Sequence, residues 1–238
     1  MLNLIRGILF DSGDTLVRPI GGHWIPHHRF DEIIAEHGVD GLQWENIGDA
    51  IAEGQEYLSE NHHLTTEDQE RAQFQTFYDI VLKGLGAPQP NHSLTHELAR
   101  VIVDENNMEP FADTQVVIPR LHKSGLRLGI LSDTWPSLDR KYRLLGLRDY
   151  FDPFVMSAPL GVCKPHPKMY STAIDGMAIP SGDILFVDND PENVKGANVA
   201  GLKGVLMVRS GPPPVDDLPW IRNLEELEER FSPHFSVL

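Results

Sequence analysis

The sequence predicts an α/β fold: a doubly wound parallel sheet interrupted after its first strand by an all-helical segment. Short apolar runs of strand length recur along the chain, and the last four alternate with helix-like segments. Between the first run and the second lie more than a hundred residues with helical periodicity and almost no strand signal. The first pattern implies strands buried under helices on both faces; the second implies an inserted helical bundle.

The first predicted strand is Gly7 to Phe10, which ends on the polar knot DSGDT at residues 11–15. Helical stripes follow. Phe30, Ile33, Ile34 and His37 share one face, as do Ile47, Ala50, Ile51, Gly54 and Leu58. Thr66 and Gln69 have the spacing of a capping box ahead of Phe74, Phe77, Tyr78, Val81 and Leu82. Leu94, Leu98, Val101 and Ile102 make a fourth stripe, and the turn-rich spacers NHHLTT and LGAPQPNHS separate the helices. The remaining strands are predicted at Leu126 to Leu131, Phe154 to Met156, Ile184 to Val187 and Gly204 to Val208. A proline-rich connector, SGPPPVDDLP, leads to a last helix with Asn223 and Glu226 as cap and Leu224, Leu227 and Phe231 facing inward. The expected division is a core of residues 1–18 and 107–238 with a helical domain of residues 19–106.

With 20 Lys and Arg against 35 Asp and Glu, the 238-residue chain has a formal net charge of −15. That field repels nucleic acid and anionic lipid, so an anionic substrate needs a local positive site. The single cysteine, Cys163, excludes an internal disulfide and any zinc site built on several cysteines, and fits a reducing compartment. No stretch reaches the roughly 18 apolar residues of a membrane span, and the N-terminus has no signal-peptide pattern. A soluble cytoplasmic protein is expected.

In a doubly wound sheet, ligands bind beyond the carboxyl ends of the strands. Four positions there carry chemistry: Asp11, Ser132, Lys164 and the acidic cluster DNDPEN at residues 188–193. A carboxylate, a hydroxyl, an ammonium and a second acidic group suit phosphoryl transfer to water in two steps, Asp11 attacking phosphorus and water hydrolysing the aspartyl phosphate. Mg²⁺ between Asp11 and the acidic cluster, with Lys164, would neutralise the phosphate charge. Ser132 would donate to a phosphate oxygen, and backbone N–H groups of the loop after Asp11 would hold the others.

The ordered segments ILFDSGDTL, LGILSDT, GVCKPHPKMY and ILFVDNDPENVKGANVAG resemble the four motifs of the haloacid dehalogenase-like hydrolase superfamily. The resemblance covers residues 5–19 and 115–208, and the helical segment matches in position the family's C1-type cap, inserted after the first strand. It implies a Rossmann-like core, Mg²⁺, a nucleophile at Asp11, phosphate contacts at Ser132 and Lys164, and small phosphorylated metabolites as substrates. The substrate-facing set is Ser12, Ser132, Asp133 and Lys164. The metal-facing set is Asp11, the Gly13 carbonyl, Asp188 and Asn189.

Two positions depart from the family pattern. The acid that protonates the leaving group usually stands two residues after the nucleophile, where this chain has Gly13. Such a group contributes about 10²- to 10⁴-fold in rate. Asn189 stands where a second acid is common, so the metal site is expected to be weaker by one charge. Asp14 reads as a turn residue, Asp190 as the N-cap of a helix beginning Pro191–Glu192, and Asp133 as either a substrate contact or a turn bond. Trp135 is either cleft wall or packing, and His23 to Arg29 lie where the chain enters the cap. The leading expectation is a Mg²⁺-dependent phosphomonoesterase. The alternatives are a carbon–halogen hydrolase, because the family's dehalogenases also lack that acid, and a catalytically weak binding member.

Overall fold

The computed structural model describes residues 4–87, 91–212 and 217–235. Residues 88–90 of the second spacer and 213–216 of the proline-rich connector lie outside the described residues. Among the described residues a six-stranded parallel sheet has the order β5-β4-β1-β6-β7-β8. Its strands are β1 (Gly7–Phe10), β4 (Arg127–Ser132), β5 (Phe154–Met156), β6 (Ile184–Asp188), β7 (Lys203–Met207) and β8 (Trp220–Ile221). All five strands read from apolar runs are present, shifted by one residue at most; β8 carries too short a run to be read.

The pleat sorts the apolar residues onto two faces. Ile8 and Phe10 of β1 and Leu185 and Val187 of β6 pack with α5 (Ala112–Lys123), α6 (Leu138–Leu144) and α10 (Leu224–Phe231). Leu9, Ile184 and Phe186 turn the other way, onto α8 (Pro167–Met177) and α9 (Pro191–Val199). A four-residue helix, α7 (Ser157–Leu160), follows β5.

The inserted segment is helical, as the stripes imply. It holds α1 (Phe30–Glu36), α2 (Ile47–Glu60), α3 (Glu67–Gly84) and α4 (His92–Asp104) around their own apolar cluster. The capping box at Thr66 and Gln69 forms in both directions. Two short strands, β2 (Val17–Pro19) and β3 (Met108–Pro110), pair antiparallel where the chain leaves for these helices and returns. They are unpredicted, being three residues each with no alternation to read.

Gly54 marks the close approach of α2 to α3. A Cβ there would stand 2.6 Å from the Phe77 ring, which is fully buried and cannot swing aside. Alanine gains about 1 kcal/mol of helix propensity over glycine, but overpacking a filled core costs typically 1–3 kcal/mol. Gly54→Ala should therefore lower the thermal midpoint; a rise in Tm would show that the helices can separate freely.

Candidate active site

Strand order reverses at β1: β4 and β5 extend to one side of it, β6 to β8 to the other. The crevice beyond their carboxyl ends is the expected ligand position, and a cavity of about 330 Å³ opens there. Asp11 follows β1 directly, Ser132 ends β4 and Asp188 ends β6. The register places Phe10 beside Ile130 and Val187, so Asp11 and Asp188 arrive at one level and Ser132 one residue beyond it. Ser12, Gly13, Asp133, Lys164 and Asn189 line the same cavity.

Lys164 ties the cluster together. Its Nζ donates to Asp11 Oδ1 at 2.7 Å and to Asp188 Oδ2 at 2.6 Å, and its side chain is 1% exposed. Burial pushes the Asp11 carboxyl up against the pull of Lys164. Asp188 is raised to about 6, by burial first and then by Asp11. Burial would lower Lys164, yet the two carboxylates outweigh it and hold the ammonium above the ordinary lysine value. The cation is thus locked in its charged form.

The other expected residues divide by what they touch. Ser132 is buried at the cavity wall, and its hydroxyl has no protein partner among the described residues. The Ser12 hydroxyl is instead paired with Tyr142 Oη at 2.8 Å, while its backbone N–H is directed at Asp11. Asp133 Oδ1 accepts from the Lys164 backbone N at 2.9 Å, so this carboxylate fastens the lysine loop. Asp190 caps α9 by accepting from Glu192 N at 2.8 Å.

Both oxygens of Asp188 are engaged. Oδ1 accepts from Asp190 N at 2.8 Å, and Oδ2 from Lys164 and from Asn193 Nδ2 at 3.2 Å. Asn189 is exposed to the cavity mouth, its Oδ1 3.4 Å from Thr15 Oγ1. No group of three or more His, Cys, Asp or Glu side chains placed to hold a metal occurs among the described residues. A carboxylate oxygen that accepts one hydrogen bond keeps a further lone pair, so the hard oxygens available to a cation at this cavity are those of Asp11 and Asp188, the Gly13 carbonyl and the Asn189 amide. This set fits Mg²⁺, which takes one or two carboxylates and completes its shell from substrate phosphate and water.

Trp24 explains how the chain accommodates Gly13. Its ring lies over the glycine, so that a Cβ there would stand 3.1 Å from Trp24 Cζ2. The indole is held by its Nε1, which donates to Asp14 Oδ2 at 3.1 Å. Asp14 is a turn residue, as its position implies, with φ of 56°. Its carboxylate serves the tryptophan and not the loop backbone.

Of His23 to Arg29, only Trp24 and Ile25 line the cavity; His27 is buried beneath Tyr78, and Arg29 pairs with Glu32 and Glu105. Trp135 both lines the cavity and packs on Phe74 of α3, its Nε1 donating to Gln73 Oε1 at 2.8 Å. Sequence reasoning missed Glu70, Asn107, Ser137 and Lys141, which also line the cavity. Glu70 of α3 accepts from Ser137 Oγ at 2.6 Å and from Ser137 N at 2.8 Å, joining the inserted helices to the start of α6. No local signal marks these residues, because each acquires its setting only through packing.

This parallel sheet, helical insertion and post-strand Asp–Ser–Lys–Asp cluster define a hydrolase class. The family model for haloacid dehalogenase-like hydrolase matches residues 5–201, and the chain belongs to that family. Among characterised relatives, the glyceraldehyde 3-phosphate phosphatase of Methanopyrus kandleri is 24% identical over 213 residues, 87% of this chain and 85% of that protein. The (S)-2-haloacid dehalogenase of Pseudomonas sp. strain YL is 31% identical over 105 residues, 44% of this chain and 45% of that protein. In fold, the 2-haloacid dehalogenase of Pseudomonas syringae pv. Tomato DC3000 superposes with a TM-score of 0.71 at 22% identity, covering 97% of this chain and 99% of that one. The HAD phosphatase of Thermococcus onnurineus gives 0.66 at 21% identity, covering 95% and 98%. No helix among the described residues is long and apolar enough to cross a membrane.

Proposed function

We propose that the protein hydrolyses small phosphate monoesters with Mg²⁺, through an aspartyl phosphate on Asp11, with residues 19–106 acting as a cap over the core. The bridge from Lys164 to Asp11 and Asp188 at the cavity floor carries this reading. It fixes the Asp11 carboxylate toward the space where phosphorus would sit and keeps a permanent cation beside it. The Asp11 oxygen forms the new bond to phosphorus as the P–O bond to the ester oxygen breaks, the leaving oxygen taking its proton from water because Gly13 offers none. Water then attacks phosphorus of the aspartyl phosphate, releasing inorganic phosphate and the Asp11 carboxylate. The Ser132 hydroxyl, without a protein partner among the described residues, donates to a phosphoryl oxygen, and Lys164 offsets charge on another.

Charge balance supports a metal. Two carboxylates and one ammonium leave the floor at −1 before a phosphoryl dianion enters. Mg²⁺ held by Asp11, the Gly13 carbonyl, Asp188 and Asn189 would supply the missing positive charge. Asp188 would then serve both as counter-ion of Lys164 through Oδ2 and as a ligand through the lone pair left on Oδ1.

The deciding measurement is phosphate release from a panel of aryl, acyl and alkyl phosphates with and without Mg²⁺. Metal-dependent release, strongest with good leaving groups, is expected. Halide release from 2-haloacids without metal would instead favour carbon–halogen hydrolysis, to which Gly13 and its tryptophan cover lend support because that chemistry needs no leaving-group acid.

Restoring an acid tests the role of Gly13. In Gly13→Asp alone the new side chain meets Trp24, so little gain is expected. Combined with Trp24→Ala, which clears the ring, it should raise alkyl phosphate turnover by up to about 10²- to 10⁴-fold. An unchanged rate in the double variant, with aryl phosphates still hydrolysed, would remove the general-acid explanation.

A further inference from the structure

Lys141 is a second buried ammonium in the same cavity, carried by α6 on the wall facing the inserted helices. The residue is 5% exposed, and its Nζ donates to Ile102 O and to Asn107 Oδ1, each at 2.8 Å. Both partners are neutral, and among the described residues no carboxylate forms an ion pair with it. Glu70, the acid nearest in effect, has both oxygens engaged by Ser137. A buried charge left without a counter-ion is costly, and burial pulls this lysine down to about 8 although Glu70 opposes the shift. Lys164 beside Asp11 is the contrast: equally buried, but fully paired.

Two donors at this wall are unspent. Lys141 has a third N–H, and Asn107, whose Oδ1 must face the ammonium, has an amide Nδ2 with no protein partner among the described residues. Trp24, Phe74, Met108 and Leu138 line the same cavity as these donors and Asp11.

We propose that Lys141 and Asn107 bind a carboxylate of the substrate, so that the cavity accepts a short phosphorylated carboxylic acid with its phosphoryl group at Asp11. One ammonium offsets one carboxylate charge, with the amide as second donor. A second phosphoryl group would bring two charges to a wall that already faces Glu70, and a hydroxyl would leave the ammonium uncompensated. The phosphoryl end of this assignment rests on the phosphatase reading; the carboxylate end does not.

The test is calorimetric binding of phosphonoacetate, 3-phosphonopropanoate and 4-phosphonobutanoate against alkylphosphonates of matching length, with Mg²⁺ throughout. A charge-assisted pair predicts that wild type binds at least one acid roughly 10- to 100-fold more tightly than its alkyl partner. Lys141→Met should abolish that ratio and Lys141→Arg retain part of it, and kcat/KM for the corresponding phosphate esters should move in parallel. Equal binding of acids and alkyl partners by wild type at every length would overturn the proposal, as would a preference that survives Lys141→Met. If the methionine variant does not fold, Asn107→Leu and the wild-type ratio decide alone. A binding preference with no phosphate release from any ester would sink the phosphatase reading and leave the carboxylate site standing. Phosphate release with no preference would do the reverse.

Discussion

Asp11→Asn should lose phosphate release by about 10⁴-fold or more, the scale seen when a covalent nucleophile is removed, while its thermal midpoint stays at or above that of wild type. The two halves of this expectation have one cause. Asp11 is buried and its carboxyl is raised mainly by desolvation, so folding works against its charge. The amide has the same shape without the charge, and Lys164 keeps Asp188 at 2.6 Å as its counter-ion. Stability is therefore preserved while the attacking oxygen loses its nucleophilicity. Acid-quenched wild type should carry a phosphoryl group on the peptide containing Asp11, and the variant should not. Activity within tenfold of wild type would overturn the covalent mechanism.

How much of this site was legible depends on whether its cause is local. Asp11, Ser132 and Asp188 follow apolar runs buried on both faces, and such runs read clearly as strands ending at the crevice. Asp190 was legible as a cap because Asp-Pro-Glu settles its bond to Glu192 N within three residues. The loss of an acid at Gly13 was visible too, but the tryptophan filling the space was not, since nothing in the sequence aims Trp24 at that glycine. Strands β2 and β3 pair Val17 with Pro110, partners too distant for any periodicity to link. Lys141 was the least readable, because a lysine beside Tyr142 on a short amphipathic helix looks like a solvated flank. Its burial comes from the inserted helices folding over α6, with Ile102 and Asn107 brought to its ammonium.

Lys164→Met should combine the loss of activity with a large loss of stability. Methionine fills the space of the alkyl chain, so packing is approximately kept and the change is the removed charge. That leaves Asp11 and Asp188 buried together, with side chains 9% and 1% exposed and no cation between them. Breaking a buried ion pair by deleting one partner costs about 3–5 kcal/mol. For a chain of this size each kcal/mol lowers Tm by roughly 2–4 °C, so a drop of more than about 6 °C is expected by calorimetry at neutral pH. The companion variant Lys164→Met with Asp188→Asn separates electrostatics from shape. Neutralising Asp188 removes the repulsion and one desolvated charge, so the double variant should recover a large part of the lost stability and none of the activity. Equal midpoints for the single and double variants would place the cost in packing. The lysine would then act as a spacer in the fold, and its place at the cavity floor would no longer argue for a charge-neutralising role toward a phosphoryl group.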